Sequence, residues 1–341
     1  MTSRAWKLDG GFGPSHLSLV ERALPEPGPG QVRVRIRALS LNYRDLMIVR
    51  GEYDPRMPLP RVPLSDAAGE IDAIGSAVRR FQPGDRVCPV FAPGWVAGDP
   101  PADATSFALG HRVDGVASDH VIVSEGDLVR IPAHLDFLKA ATLPCAAVTA
   151  WHALSGDRPV RPGETVLVQG SGGVSLFALQ LARLAGAQVI ATSSDPSKLD
   201  RLQALGAAHT LNYRENPQWG KAVRALTGGR GVDRVIEVGG ASTLAESLVA
   251  VRPSGQIAVI GVLAGRAAPI DVTSILMRNV RLQGIFVGSR AHFEALNQAV
   301  ETSGLQPVVD RVFDFEALPD ALDHLASGRH FGKVALRIGP S

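Results

Sequence analysis

The feature that most constrains the fold is the segment from Glu164 to Pro196, which has the pattern strand, glycine turn, helix, strand. An apolar run at Val166–Val168 is typical of a strand buried in a parallel sheet. Apolar residues at helical spacing follow between Val174 and Leu184, and Gly186 ends that helix before a second apolar run at Val189–Thr192. The segment therefore predicts a βαβ unit of a doubly wound α/β sheet.

The turn between the first strand and the helix is a candidate anion site. Backbone N–H groups and the positive end of the helix dipole favour phosphate at a helix N-terminus. The G-x-G-x-x-G pattern of dinucleotide sites is present except at its third glycine, where Ser175 is small enough for close helix–strand packing. A glycine run alone also fits an ordinary βα turn, but the surrounding strand–helix–strand pattern favours a cofactor. The predicted dinucleotide site comprises Gly170, Ser171, Gly172, Gly173 and Val174.

The end of the second strand favours NADPH over NADH. NAD sites normally place Asp or Glu there to accept a hydrogen bond from the ribose 2′-hydroxyl. Here the chain has Ser193 and Ser194, followed by Lys198, and hydroxyls with a cation suit a 2′-phosphate. Asp195 is an alternative ribose ligand, but before Pro196 it is typical of a helix N-cap.

Composition excludes several classes of function. A formal net charge of +2 over 341 residues indicates neither a nucleic-acid nor an anionic-membrane surface. No uninterrupted apolar run is long enough to span a bilayer, and the N-terminus lacks the apolar core of a signal peptide. The two cysteines give no disulfide framework. We therefore predict a cytoplasmic protein with a small-molecule substrate and no nucleic-acid or membrane partner.

A change in the pattern of elements predicts two domains. Residues 1–125 contain short β runs separated by Gly and Pro, which indicates a β-rich domain. Strand–helix alternation takes over in residues 126–287. Apolar strands in residues 288–341 would return to the β-rich domain, with a substrate cleft at the junction. A Gly/Pro-rich stretch at residues 93–114 is predicted to lie over the surface as a lid or binding loop.

Short motifs occur along the chain in a fixed order: Asn42-Tyr43-Arg44-Asp45, Pro83-Gly84-Asp85-Arg86-Val87, Ala141-Thr142-Leu143-Pro144-Cys145 and Phe331-Gly332-Lys333-Val334. With the glycine turn, they resemble the medium-chain dehydrogenase/reductase superfamily over essentially the whole chain. The resemblance implies an α/β protein with a GroES-like catalytic domain (residues 1–125, completed by about 288–341) and a Rossmann domain (residues 126–287). The first motif is also similar to polyketide enoyl reductase domains and zinc-free quinone oxidoreductases, which reduce conjugated acceptors with NADPH.

Many members of this superfamily hold a catalytic zinc ion with Cys, His and Cys. In this sequence Asn42 stands in the first position, Ser65 in the second with Asp66 after it, and only Cys145 keeps a thiol. Catalytic zinc needs three protein ligands, usually N or S, and an open position. We therefore predict no metal and take Cys145 as a wall residue of the cleft. Without a Lewis acid, reduction of an acceptor already activated by conjugation is favoured over oxidation of an alcohol.

Two side chains are candidates for catalysis. Tyr53 matches the tyrosine that lines the acceptor pocket of zinc-free relatives, and a phenol with a pKa near roughly 10 can donate to a developing enolate at neutral pH. Asn42 could donate an amide N–H to the substrate oxygen. Trp95 would either close over an apolar substrate or pack in the ordinary way, and the sequence assigns no place to His111 or His120.

The resemblance implies further contacts. Thr149 would lie beside the nicotinamide, Tyr213 near the 2′-phosphate and Lys333 near a phosphate. The edge strand near Arg281–Val287 predicts a homodimer, because relatives commonly pair this strand and an exposed apolar edge tends to associate. The ends of the later strands would flank the nicotinamide ring, namely Gly261, Val262, Leu263, Ile285, Phe286 and Val287.

The sequence thus predicts a zinc-independent oxidoreductase that transfers hydride from NADPH to a quinone, an enone or a related carbonyl. Two alternatives remain open. One is an alcohol dehydrogenase-like enzyme that works without a metal, and the other is a catalytically idle NADPH-binding protein.

Overall fold

A computed structural model of the chain describes residues 2–24 and 26–339. The chain divides into two compact units, one from Met1–Val148 with Gly288–Ser341 and one from Thr149–Val287. Residues 126–148, assigned above to the nucleotide-binding domain, lie in the first unit, because the helix at Phe137–Ala140 packs on strands of that unit. Across the described ranges, no helix combines the length and apolarity needed to cross a membrane.

The secondary structure follows the predicted change from short strands to alternating strands and helices. In chain order the described elements are β1 (Thr2–Leu8), β2 (Leu17–Ala23), β3 (Gln31–Ser40), α1 (Tyr43–Val49), β4 (Asp66–Ile74), β5 (Arg86–Pro89), α2 (Ala104–Phe107), β6 (His120–Ser124), β7 (Leu128–Arg130), α3 (Phe137–Ala140), α4 (Val148–Ser155), β8 (Thr165–Gln169), α5 (Gly173–Leu184), β9 (Gln188–Ser193), α6 (Pro196–Ala204), β10 (His209–Asn212), α7 (Trp219–Leu226), β11 (Val232–Glu237), α8 (Ala241–Ala250), β12 (Val251–Val259), α9 (Val272–Leu276), β13 (Arg281–Gly284), α10 (Arg290–Ser303), β14 (Val309–Asp314), α11 (Leu318–Ala326) and β15 (Lys333–Arg337).

The first unit is built around a largely antiparallel sheet. Its strand order is β14–β15–β3–β4–β5–β7, with β6 also paired to β3, while β1 and β2 form a separate antiparallel pair. The β15 strand from the C-terminal segment pairs with β3, so the C-terminal residues complete the β-rich unit. Close strand approach requires glycine at position 69, where a Cβ would lie 2.3 Å from the Arg35 carbonyl oxygen.

The second unit contains a six-stranded parallel sheet. The strand order is β10–β9–β8–β11–β12–β13, which is the Rossmann order 3-2-1-4-5-6. Fully buried apolar side chains such as Leu167, Val235 and Ile257 form its core. All six strands are parallel, but the chain adds β9 and β10 on one side of β8 and β11 to β13 on the other. Ligands are therefore expected at the carboxyl ends of β8 and β11, where this order switches. The predicted α/β fold class is confirmed.

The stretch at residues 93–114 lies largely at the surface but is anchored by a few buried residues. Trp95 is 2% exposed, its indole N–H donates to the Gly98 carbonyl at 3.0 Å, and its own carbonyl accepts from the Arg290 N–H at 2.9 Å. Ala108 and His111 are also buried. The predicted surface position holds for residues 96–103, which are exposed, whereas Trp95 and residues 108–111 pack within the first unit.

Candidate functional site

The glycine turn leads directly from β8 into α5. Gly170 has a φ of +72°, which glycine adopts without steric cost. Gly172 is the N-cap of α5, and no described atom lies within 4 Å of the position its Cβ would take. The Ser175 hydroxyl donates to the Gln169 carbonyl at 2.6 Å, so serine joins helix to strand where the third glycine is missing. The open space and the first N–H groups of α5 fit a pyrophosphate.

A buried network holds the ends of β8 and β11 in place. Glu237 is fully buried and accepts from the N–H groups of Gly239 and Gly240, at 2.9 Å each. The Gln169 amide N–H donates to Glu237 at 2.7 Å, and the Gln169 amide oxygen accepts from the Val238 N–H at 3.2 Å. Neither side chain was singled out from the sequence, although Gln169 directly follows the predicted strand at Val166–Val168 and Glu237 ends β11 beside the switch point.

The end of β9 carries the residues predicted to hold the 2′-phosphate. The Ser193 hydroxyl accepts from the Asp195 N–H at 3.2 Å, and Asp195 caps α6, which confirms its predicted N-cap role. Ser194 lies in this same turn, and Lys198 is in the first turn of α6. The Tyr213 N–H donates to the Ser193 carbonyl at 3.2 Å, so the tyrosine lies beside the same strand end. The structure thus brings Ser193, Ser194, Lys198 and Tyr213 to one corner of the sheet.

The segments predicted to flank the nicotinamide follow neighbouring strands at the same edge. The Ile285 N–H donates to the Val259 carbonyl at 2.9 Å. Val287 has a φ of +40°, which is strained for a β-branched residue, and its carbonyl bonds His152 Nδ1 at 2.8 Å. Thr149 is buried one turn before His152 on α4. The other predicted residues at this edge are Gly261, Val262, Leu263 and Phe286.

Tyr53 lies in the first unit beside two nitrogen-rich side chains. The Arg44 guanidinium lies over the phenol ring, 5.3 Å from its centroid, and the His111 ring packs edge-on at 5.2 Å. Arg44 donates to the Leu109 carbonyl at 2.9 Å, and His111 Nε2 bonds an Asp54 carboxylate oxygen at 3.2 Å. No local sequence pattern indicated a role for His111, because its contact with Tyr53 joins two segments that are distant in the chain.

The positions at which relatives hold zinc come together in the first unit with Lys333. The Lys333 ammonium donates to Asn42 Oδ1 at 2.6 Å and lies 4.0 Å from Asp66 Oδ2. The Asp66 carboxylate accepts from the Ser65 hydroxyl at 2.8 Å and from the Cys145 N–H at 3.2 Å. The resemblance implies a phosphate contact for Lys333, whereas the observed partners of its ammonium belong to this cluster.

These donors do not fit a catalytic zinc ion. Burial raises the pKa of Asp66, and burial together with the Asp66 carboxylate raises the pKa of the Cys145 thiol far above its usual range. Catalytic zinc usually needs three protein ligands with N or S donors, and among these side chains only Cys145 offers one. The Asn42 oxygen is already occupied by an ammonium group. In the part of the chain that the structure describes, no group of three or more His, Cys, Asp or Glu side chains could hold a metal ion.

A GroES-like β-rich unit and a Rossmann unit with an open glycine turn define a nicotinamide dinucleotide-binding oxidoreductase. The family model described as alcohol dehydrogenase GroES-like domain matches residues 28–133, and the one described as zinc-binding dehydrogenase matches residues 173–302. The chain belongs to the medium-chain dehydrogenase/reductase superfamily, which confirms the resemblance found in the sequence.

Similar proteins carry both alcohol dehydrogenase and quinone oxidoreductase names. A zinc-type alcohol dehydrogenase-like protein of Schizosaccharomyces pombe is 44% identical over 308 residues, covering 89% of each chain. A quinone oxidoreductase of Lama guanicoe is 29% identical over 346 residues, covering 98% of this chain and 97% of the relative. The crystal structure of an NAD-dependent alcohol dehydrogenase superposes with a TM-score of 0.90 at 36% identity, covering 98% of this chain and all (100%) of that one.

Proposed function

We propose that this protein is a zinc-independent, NADPH-dependent oxidoreductase that reduces a quinone, an enone or a related conjugated carbonyl. The observation that carries the proposal is the ammonium of Lys333 bound to Asn42 and close to Asp66, where relatives place their zinc ligands. Hydrogen-bond donors stabilise a developing oxyanion less than a Lewis acid does, so an acceptor that is already electron-poor suits this site. The similarity to a quinone oxidoreductase supports this class of acceptor.

The cofactor would be held by the edge of the Rossmann sheet. The N–H groups at the start of α5 would bind the pyrophosphate, and the space beside Gly172 lets the backbone approach it. The hydroxyl of Ser193 and the ammonium of Lys198 would bind the 2′-phosphate, with the Tyr213 ring beside them. When bound, NADPH supplies the hydride.

The residues of the first unit would bind the acceptor oxygen. When an enone is reduced at its β-carbon, an electron pair moves to the carbonyl oxygen and an enolate forms. The Tyr53 hydroxyl and the Asn42 amide N–H would donate to that oxygen, and the Arg44 guanidinium 5.3 Å from the phenol ring favours negative charge nearby. The α-carbon of the enolate then takes a proton from water, which completes the two-electron reduction.

Steady-state kinetics test the proposal directly. NADPH and NADH are each compared against a panel of quinones, enones and simple alcohols, and the zinc content of the same preparation is measured. We expect turnover of conjugated acceptors with NADPH, at a kcat/KM that exceeds the value with NADH, in protein without stoichiometric zinc. Turnover that requires zinc, or a preference for NADH, would contradict the proposal.

An alcohol dehydrogenase-like activity is the second candidate. It is favoured by the similarity to the Schizosaccharomyces pombe protein and to the NAD-dependent enzyme of known structure. Oxidation of alcohols by the zinc-free protein in the panel above would support it. NADPH binding without turnover of any acceptor would instead indicate the catalytically idle alternative.

We also infer a homodimer formed through the second unit. β13 is the edge strand of the parallel sheet, so one row of its backbone groups can pair with another strand. Nearby, Val272, Leu276 and Met277 expose 69%, 73% and 74% of their surface, an arrangement that favours burial against a partner. Light scattering should give the mass of two chains, and the mass of one chain would refute the inference.

A further inference from the structure

Lys333 is buried in the first unit among groups from two other segments of the chain. Its side chain is 4% exposed. The ammonium donates to the Leu41 carbonyl and to Asn42 Oδ1, at 2.6 Å each, and lies 4.0 Å from Asp66 Oδ2. A buried ammonium is strongly destabilising unless it is paired and hydrogen-bonded, so these three groups determine where it lies.

The same contacts determine the orientation of the Asn42 amide. An ammonium only donates, so the Asn42 atom that faces it is the oxygen, and the nitrogen faces away. That nitrogen lies 3.5 Å from the Ser65 hydroxyl oxygen. The Ser65 proton is directed to Asp66 Oδ1 at 2.8 Å, which leaves the hydroxyl oxygen as an acceptor. Lys333, Asn42, Ser65 and Asp66 thus form a closed ring in which the Asn42 oxygen faces the lysine and one of its two amide N–H groups faces the Ser65 hydroxyl.

We propose that Lys333 is the built-in cation of the acceptor site: its ammonium takes the place of the metal ion and orients the Asn42 amide so that the N–H group not directed at Ser65 can donate to the acceptor oxygen. The inference rests on the proposed function. Lys333 is a positioning residue that acts through Asn42, and its charge balances the buried carboxylate of Asp66. This role differs from the phosphate contact that the family resemblance implies for Lys333.

The two roles predict opposite kinetic effects of Lys333→Met. If Lys333 positions Asn42, kcat for quinone reduction at saturating NADPH falls at least tenfold, while the Kd for NADPH in a fluorescence titration stays within twofold of the wild-type value. If Lys333 contacts a cofactor phosphate, the Kd rises at least tenfold and kcat at saturation is kept. The second result, or an unchanged kcat, would overturn the proposal.

Two further variants control for loss of folding, because Lys333→Met leaves the Asp66 carboxylate buried without its cation. Lys333→Met combined with Asp66→Asn removes both charges and should restore the melting temperature without restoring kcat. Asn42→Asp keeps an acceptor for the ammonium but removes the amide donor, so it should fold and show the same loss of kcat. A wild-type kcat in either variant would overturn the proposal.

A metal-binding experiment tests the cation without any acceptor. Asn42→Cys with Ser65→His restores the ligand types of zinc-binding relatives beside Cys145. With Lys333 present we expect no stoichiometric zinc by elemental analysis, and with Lys333→Met added we expect one zinc ion per chain. Zinc in the double variant, or none in the triple variant, would overturn the claim. If the wild-type protein reduces no acceptor, the proposed function fails while this measurement still decides the role of the ammonium.

Discussion

The substitution Gly172→Ala should separate folding from cofactor binding. Gly172 has φ −76° and ψ 175°, a conformation that alanine adopts without strain, and an added Cβ meets no described atom within 4 Å. Alanine restricts the unfolded chain, which stabilises the fold by about 0.4–1 kcal/mol. It is also a poorer N-cap than glycine, by about 0.5–1 kcal/mol. The two effects offset each other, so the free energy of unfolding should change by less than about 0.5 kcal/mol.

The same methyl group would occupy the space through which the backbone approaches the pyrophosphate. We expect the Kd for NADPH to rise at least tenfold, which is a loss of about 1.4 kcal/mol in binding. A fluorescence titration of NADPH and thermal unfolding of the same preparation measure the two quantities. Unchanged binding of NADPH would refute the assignment of the phosphate site to this turn. A clear loss of stability would show that alanine does not fit the backbone conformation described for Gly172.

Gly170→Ala and Gly163→Ala are the matched controls. Both glycines have positive φ, +72° and +84°, with open space around the missing Cβ. Alanine in this left-handed conformation costs about 1–2 kcal/mol, so both variants should unfold at a lower temperature than Gly172→Ala. Gly163 precedes β8, outside the turn, so Gly163→Ala should bind NADPH as the wild-type protein does.

Three further predictions address charge and catalysis. Burial raises the pKa of the Asp45 carboxyl from 3.8 to about 6. The native state therefore binds this proton more tightly than the unfolded chain does. The free energy of unfolding should fall by about 3 kcal/mol in all as the pH rises from about 4 to 6. Urea unfolding of Asp45→Asn should therefore show a gain over wild type that grows from pH 4 to pH 7, and parallel curves would contradict this. Ser193→Asp places a carboxylate beside the proposed 2′-phosphate and should raise the Kd for NADPH at least tenfold relative to NADH, as measured by titration of both. Tyr53→Phe should lower kcat by about tenfold to a hundredfold at an unchanged Kd for NADPH, and a wild-type kcat would remove Tyr53 from the mechanism.

The Rossmann unit could be predicted in detail because its signals are local. Apolar runs such as Val166–Val168 fall within single strands, and the observed β8 and α5 begin and end within a few residues of the predicted bounds. Asp195 before Pro196 was predicted as an N-cap from two adjacent residues, and the structure confirms it. A strand, a turn and a helix are defined by neighbours in the chain, so their pattern is visible in the sequence.

The candidate acceptor site was predicted only in part. Asn42 and Ser65 were singled out by their motif positions, but no local pattern indicates that Lys333 lies 2.6 Å from the Asn42 oxygen. The burial of Trp95 and the contact of His111 with Tyr53 were likewise not predictable, because each depends on how one loop packs on another.

The sequence by itself determined the class of fold and the glycine turn, because both are encoded in residue types at short spacing. Tertiary structure alone decided that Lys333, on the last strand of the described chain, pairs with Asn42 and approaches Asp66. β15 pairs with β3 and β3 with β4, and this sheet brings together three segments that are far apart in sequence. A buried charge takes whatever partners the packed sheet provides, and those partners are fixed only when the strands have paired.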